Sequence, residues 1–155
     1  MTGNNKRAVN RLPEEDILIW IGVVAQLNRT RSNRLLTDTS LPYPLFVLLR
    51  HFCHDPERKW TITQLTSAFE TGQSGMTKKV QKLLAARLLK QTADSEDGRV
   101  KWFSISPLGL ETVEASSAAL RKDILEAFSV WSADEIAQAH DLLFRLKTHM
   151  DDNRY

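Results

Sequence analysis

Six residues between Gln73 and Lys82 could meet an anion from one side of a helix: Gln73, Ser74, Thr77, Lys78, Gln81 and Lys82. Short polar side chains near a helix N-terminus can reach phosphates, and the free N–H groups and positive dipole end there add their own attraction. Lysine adds a compact point charge. Further along, Arg99 follows the polar turn Asp94-Ser95-Glu96-Asp97-Gly98, and Lys90 and Lys101 flank it. Asp97, two residues before Arg99, falls on the same side of an extended segment. That spacing predicts a bidentate pair in which Asp97 orients the guanidinium.

A net charge of +2 over 155 residues does not by itself suggest a polyanionic partner. The distribution does. From Gln73 to Ser104 there are seven basic and three acidic residues; from Ile105 to Tyr155 there are five basic and nine acidic. Arg29, Arg31 and Arg34 form a second basic group, expected mainly to complement the end of a helix. Lys6, Arg7 and Arg11 form a third. Segregation of this kind fits a chain with one anion-facing surface.

Other chemistries fit less well. There is no G-x-S-x-G, H-E-x-x-H or phosphate-cradling glycine loop, so no enzyme is expected. His51, Cys53 and His54 are close in sequence, but only the two histidines share a helix face, and His140 and His149 lie far off; no metal site and no cofactor are expected. Cys53 is the single cysteine. It excludes an internal disulfide and fits a reducing compartment, the cytoplasm. As an oxidation sensor Cys53 would need an accessible, low-pKa thiolate, whereas its apolar surroundings favour an inert thiol. The longest apolar run, Ile17 to Ala25, is too short to span a bilayer. The first residues, Met1 to Arg7, show no apolar stretch with a cleavage site behind it, so no secretory signal is expected. With 42% hydrophobic and 26% charged residues, the chain can build a globular core without staples.

The elements that must position these residues can be read from periodicity. Pro13 and three following acids start a helix that runs to about Asn33, with Ile17, Trp20, Ile21, Val24 and Leu27 at helical spacing. Thr37 to Pro44 reads as a connection and Leu45 to Cys53 as a short second helix. Trp60-Thr61-Ile62 reads as extended, with Thr63 capping a third helix that carries Leu65, Ala68 and Phe69. Glu70 to Gly75 reads as a turn, and the fourth helix turns Met76, Val80, Leu83, Leu84 and Leu88 inward. Leu89 to Ala93 and Val100 to Ile105 form a hairpin. Ser106-Pro107 opens a fifth helix running to about Ser129. Ser132-Ala133-Asp134-Glu135 is a capping box for a sixth, which carries Ile136, Ala139, Leu143, Leu146 and Met150. A short helix, a turn, a basic helix and a hairpin make a winged helix-turn-helix.

With these residues in place, the chain resembles the MarR family of bacterial transcription regulators. The match lies in the wing and its exit, Asp94-Ser95-Glu96-Asp97-Gly98-Arg99-Val100-Lys101-Trp102-Phe103-Ser104-Ile105-Ser106-Pro107-Leu108-Gly109, and in Ser74-Gly75-Met76-Thr77-Lys78-Lys79-Val80-Gln81-Lys82-Leu83 as recognition helix. The resemblance implies a mainly α fold with a small β-hairpin wing. Residues 1–36 would begin the dimerisation region, 37–106 would form the winged helix-turn-helix, and 107–155 would complete the helical dimerisation region. It implies a triangular homodimer bound to a palindromic operator in double-stranded DNA, away from membranes. The helix residues named above would read a major groove, and Arg99 would enter the adjacent minor groove, where narrow A·T-rich DNA attracts arginine. Lys101, like Lys90, would add a contact to the DNA backbone or a solubilising charge. It also implies a repressor relieved by a small aromatic ligand or by oxidation at Cys53, with Trp20, Tyr43, Phe46 and His51 as candidate ligand contacts. The same aromatic residues at the same spacing would also suit a packed core. The alternative is a winged-helix protein-interaction module that does not bind DNA. Four positions depart from the family pattern. Glu70 and Arg87 stand where glycine is common, Gly98 replaces the first of two wing basic residues, and Lys79 occupies a position that is often apolar.

Overall fold

The computed structural model describes residues 12–39 and 41–154. Lys6, Arg7 and Arg11 therefore lie outside the described residues. Along the chain run α1 (Pro13–Leu35), α2 (Tyr43–Phe52), α3 (Ile62–Phe69), α4 (Gln73–Ala85), β1 (Leu89–Ala93), β2 (Lys101–Ile105), α5 (Pro107–Ala127) and α6 (Ala133–Asp152). This is the mainly α fold with a hairpin wing that the residue pattern predicts. The chain divides into two compact units, one ending at Ser116 and one beginning at Ser117.

In the first unit the core is built from α2, α3, α4 and the hairpin. Phe46, Leu48, Leu49 and Phe52 of α2 are buried with Leu65 of α3, Met76, Val80 and Leu83 of α4, and Phe103 and Ile105 of β2. Burying side chains of this size is worth roughly 1.5–3 kcal/mol each, which is what holds helices this short in place. The strands pair antiparallel from Leu89 opposite Ile105 to Ala93 opposite Lys101. Trp60 adds a bridge on the far edge of β2: its amide donates to the Phe103 carbonyl, and the Phe103 amide donates back, both at 2.8 Å.

Several local expectations are corrected. Helix α2 begins at Tyr43, not Leu45, because Pro44 sits in its first turn, where a missing N–H costs nothing. Helix α3 is capped by Thr61 rather than Thr63. The Thr61 hydroxyl accepts the Gln64 amide at 3.2 Å, and the Gln64 side chain accepts the Thr61 amide at 3.0 Å; Trp60 and Thr61 of the expected extended piece are extended, while Ile62 already opens the helix. The turn before α4 is Glu70 to Gly72, and Ser74 and Gly75 are already helical.

Two of the departures from the family pattern fall on the two left-handed residues of the described chain, Glu70 (φ 45°) and Arg87 (φ 61°). Each closes a helix. After α4, the Leu88 amide donates to the Leu83 carbonyl and the Arg87 amide to Leu84, both at 2.9 Å, a pairing that requires left-handed backbone between them. Such backbone costs a non-glycine residue ~1–2 kcal/mol, of which glycine's greater freedom when unfolded would return ~0.5–1 kcal/mol. Arg87→Gly is therefore expected to stabilise the protein by about 0.5–1 kcal/mol and raise Tm by about 2–3 °C. An unchanged or lower Tm in thermal unfolding would contradict the strain at this position.

In the second unit, Ser132 and Glu135 form the expected capping box. The Glu135 carboxylate accepts from the Ser132 amide at 2.7 Å and from its hydroxyl at 2.9 Å, and the Ser132 hydroxyl accepts the Glu135 amide at 3.3 Å. These bonds, the backbone one first, hold the Glu135 carboxyl below its ordinary range. Large apolar side chains of α6 stay exposed in the single chain, among them Leu142, Leu143, Phe144 and Met150. The same is true of α1, where Ile17, Trp20, Ile21, Val24 and Leu27 recur on an uncovered face.

Candidate nucleic-acid interface

The first turn of α4 is built to present bare main chain. Gly72 precedes the helix, no side chain caps it, and no acid lies in the first turn. The N–H groups at this end are thus left for an outside acceptor. Gln73, Ser74, Lys78, Gln81 and Lys82 are exposed, while Met76, Val80 and Leu83 of the same helix are buried. Thr77 is half-buried, and its hydroxyl donates to the Gln73 carbonyl at 2.8 Å.

A groove of about 480 Å³ separates α4 from the hairpin. Thr77, Gln81, Arg99 and Lys101, four of the residues singled out from the sequence, line it together. Gln91 of β1 and Thr61 and Thr63 at the start of α3 line it too. These three were missed because a strand glutamine and threonines at the start of a helix carry no signal of their own. A second groove, between α3 and α4, contains Gln73. Ser74, Lys78 and Lys82 line neither groove.

The hairpin tip is held by its own side chains. Asp94 Oδ1 accepts the amides of Glu96 at 2.9 Å and Asp97 at 3.1 Å, and Oδ2 accepts the Trp102 indole N–H at 2.8 Å. The indole bond first, then the two amides, hold the Asp94 carboxyl below its ordinary range. A carboxylate depressed on folding stabilises above its unfolded pKa and loses that contribution as pH falls through the lowered value, so the tip stays latched through the ordinary aspartate range. Asp97 Oδ1 accepts the Arg99 amide at 2.9 Å. The expected pair to the Arg99 guanidinium is therefore replaced by a main-chain bond: in this tight turn the nearest donor to Asp97 is the amide two residues on. Lys101 Nζ donates to the Gly98 carbonyl at 2.8 Å, so its charge is spent partly on closing the turn. Ion pairs such as Arg145–Asp141, Lys147–Asp151 and Arg154–Asp151 lie in or just after α6. Among the described residues none engages Lys78, Lys82 or Arg99.

The exit from the wing is tied down at Ser106. Its hydroxyl donates to the Arg87 carbonyl at 2.7 Å and accepts the Gly109 amide at 2.9 Å, while its own amide donates to Leu88 at 3.0 Å. Pro107 then opens α5. A Cβ on Gly109 would collide with the Leu88 carbonyl oxygen and come within 2.8 Å of Ile105. The Ser-Pro-x-Gly pattern thus fixes the end of α4, the hairpin and the start of α5 as one junction.

The candidate sensor residues are not gathered at one place. Tyr43 accepts from Asn28 at 2.8 Å, and its ring lies 6.0 Å from buried Phe46. His51, at the other end of α2, packs 4.6 Å from Trp60 and 5.1 Å from Phe69. Arg58 stacks 3.8 Å above the Trp60 ring. Burial, then His54 and Arg58, lower the His51 pKa, which favours the neutral ring. Trp20 is exposed on α1. Burial pushes the Cys53 thiol up, with Arg50 opposing it, which is the reverse of what a peroxide-reactive thiolate needs. No helix among the described residues is long and apolar enough to cross a membrane.

No protein-family model matches the sequence, and no curated protein matches it either. Solved structures do. A MarR protein from Peptoclostridium difficile superposes with a TM-score of 0.77 at 17% identity, over 98% of this chain and 95% of that one. Wild-type apo MarR from E. coli gives 0.72 at 18% identity, over 88% and 97%. A cysteine-to-serine mutant of MarR from E. coli, complexed with operator DNA, gives 0.65 at 17% identity, over 84% and 96%. The chain has the winged-helix fold of MarR-family transcriptional regulators.

Proposed function

We propose that this chain is a MarR-type DNA-binding transcription regulator, working as a homodimer in the cytoplasm. The observation that carries the reading is the groove between α4 and the hairpin. There Thr77 and Gln81 face Arg99 across a space open to solvent, beside an uncapped helix N-terminus and lysines that pair with no acid among the described residues. A helix entering a major groove with a hairpin over the neighbouring minor groove uses this arrangement directly. One of the similar structures is held with operator DNA. Cations of this kind on one surface weigh against a winged helix that binds only protein, since such a surface would favour phosphates over an ordinary protein face.

In this reading Gln73, Ser74, Thr77, Lys78, Gln81 and Lys82 contact the major groove and its phosphates. Arg99 enters the minor groove, and Lys101 and Asp97 shape the wing. A second copy covers the apolar face of α1, too large a run of exposed Ile, Trp, Val and Leu for a monomer. Residues 1–36 and 107–155 then form the dimerisation region around the winged helix of 37–106. Repression relieved by a small aromatic ligand near Tyr43 and Phe46 is the accompanying mode of control. Partial burial of Cys53, which raises its thiol pKa, disfavours control by oxidation.

Selection of bound sequences from a pool of random duplexes tests the function. The expected product is an inverted repeat with half-sites about one helical turn, roughly 10 base pairs, apart. Recovery of no enriched sequence would contradict a sequence-specific regulator.

A further inference from the structure

The wing contains a side-chain latch that lies outside the DNA-facing set. Asp94 directly follows β1, and its two oxygens close three bonds at once: to the Glu96 and Asp97 amides within the turn, and to the Trp102 indole on the returning strand. The next carboxylate, Asp97, then holds the Arg99 amide. A chain of contacts thus runs from Trp102, half-buried on β2, through Asp94 and the turn to the base of Arg99. Arg99 makes no ion pair of its own among the described residues, so the direction of its side chain depends on this backbone. Gly98, directly before it, imposes no conformational preference and nothing packs where its side chain would be. A turn with such a neighbour needs fixing from elsewhere.

We propose that Asp94, locked by Trp102, is a positioning residue for Arg99: it sets the turn from which the arginine meets DNA. This rests on the DNA-binding reading above. Holding a long side chain near its bound geometry before it meets DNA lowers the ordering cost of binding, so removing the latch weakens binding while every group that touches DNA is still present.

A double-mutant cycle on a duplex recovered from the random pool tests this. Asp94→Ala is expected to weaken binding about five- to tenfold in the wild-type background and to change nothing further in an Arg99→Ala background. Trp102→Phe, which keeps the ring but loses the indole donor, is expected to fall part of the way. It carries the same test should Asp94→Ala disturb folding. In the free protein, the indole N–H resonance absent from Trp102→Phe should shift in Asp94→Ala, a signature of the bond itself. The positioning role is overturned if Asp94→Ala binds like wild type while Arg99→Ala is weakened, or if the two losses add. If the wild type binds no duplex, the DNA-binding reading fails first and this role with it.

Discussion

Gly109→Ala is expected to destabilise the protein by about 3 kcal/mol, lowering Tm by about 10 °C. Most glycines of the described chain have open space where a Cβ would go; Gly109 does not. An added methyl group meets the Leu88 carbonyl oxygen, which is main chain and cannot rotate away, and Ile105, which is buried. That same carbonyl accepts the Ser106 amide at 3.0 Å. Moving it to admit a methyl group therefore breaks a buried bond and disturbs close packing as well. The displacement would spread, because the Ser106 hydroxyl holds both Arg87 and Gly109. Thermal unfolding beside wild type reads the effect, and a Tm within a degree or so of wild type would show that α5 does not approach this closely.

Much of this junction is legible in the sequence as a pattern, but its cause is not. The Ser-Pro-x-Gly sequence marks a helix start through Ser106 and Pro107, while nothing in it says that Leu88 lies against Gly109, since that depends on how α4 ends. The two left-handed residues are a similar case. Glu70 and Arg87 stand out as departures from glycine, and the structure gives the physical reason: both occupy backbone that glycine adopts without strain. The periodicity of α4 sorts its buried and exposed residues well, because a half-buried helix writes its face into the sequence. Periodicity fails at the short elements. Thr61 and Thr63 are equally good caps in isolation, and only the Gln64 side chain reaching back to Thr61 decides between them. Asp97 belongs to the wing as its position suggests, but its partner differs, because spacing along a strand cannot show that a turn brings the amide closer than the guanidinium. Asp94 reads in sequence only as an acid of the turn, since its bond to Trp102 crosses the hairpin.

Arg99→Ala is expected to weaken binding to the selected duplex by about 10- to 100-fold, or about 1.4–2.7 kcal/mol, with Tm unchanged. The side chain is exposed and supports nothing in the core, and the Asp97 bond is to its main chain, which alanine keeps. Folding should thus be indifferent to the change. Binding should not be. In a narrow A·T-rich minor groove a guanidinium meets a potential deeper than at the outer phosphates, so its removal costs more than one surface charge. Here the family's usual basic neighbour is Gly98, which leaves Arg99 without a basic residue directly before it. The effect should be largest for A·T-rich flanks and smaller for G·C-rich ones. Equal affinity of variant and wild type in a gel-shift titration would remove the wing from the interface.

The most direct measurement is duplex affinity as a function of salt. Each neutralised phosphate releases counterions, so log K falls linearly with log salt at about 0.9 per phosphate neutralised. If α4 and the wing hold DNA as proposed, wild type should show a steep negative slope, on the order of several phosphates per dimer. Lys78→Ala or Lys82→Ala should make it shallower by about 1 for each phosphate that a subunit ceases to neutralise. A slope near zero, or no binding to duplex at low salt, would contradict DNA recognition by this surface.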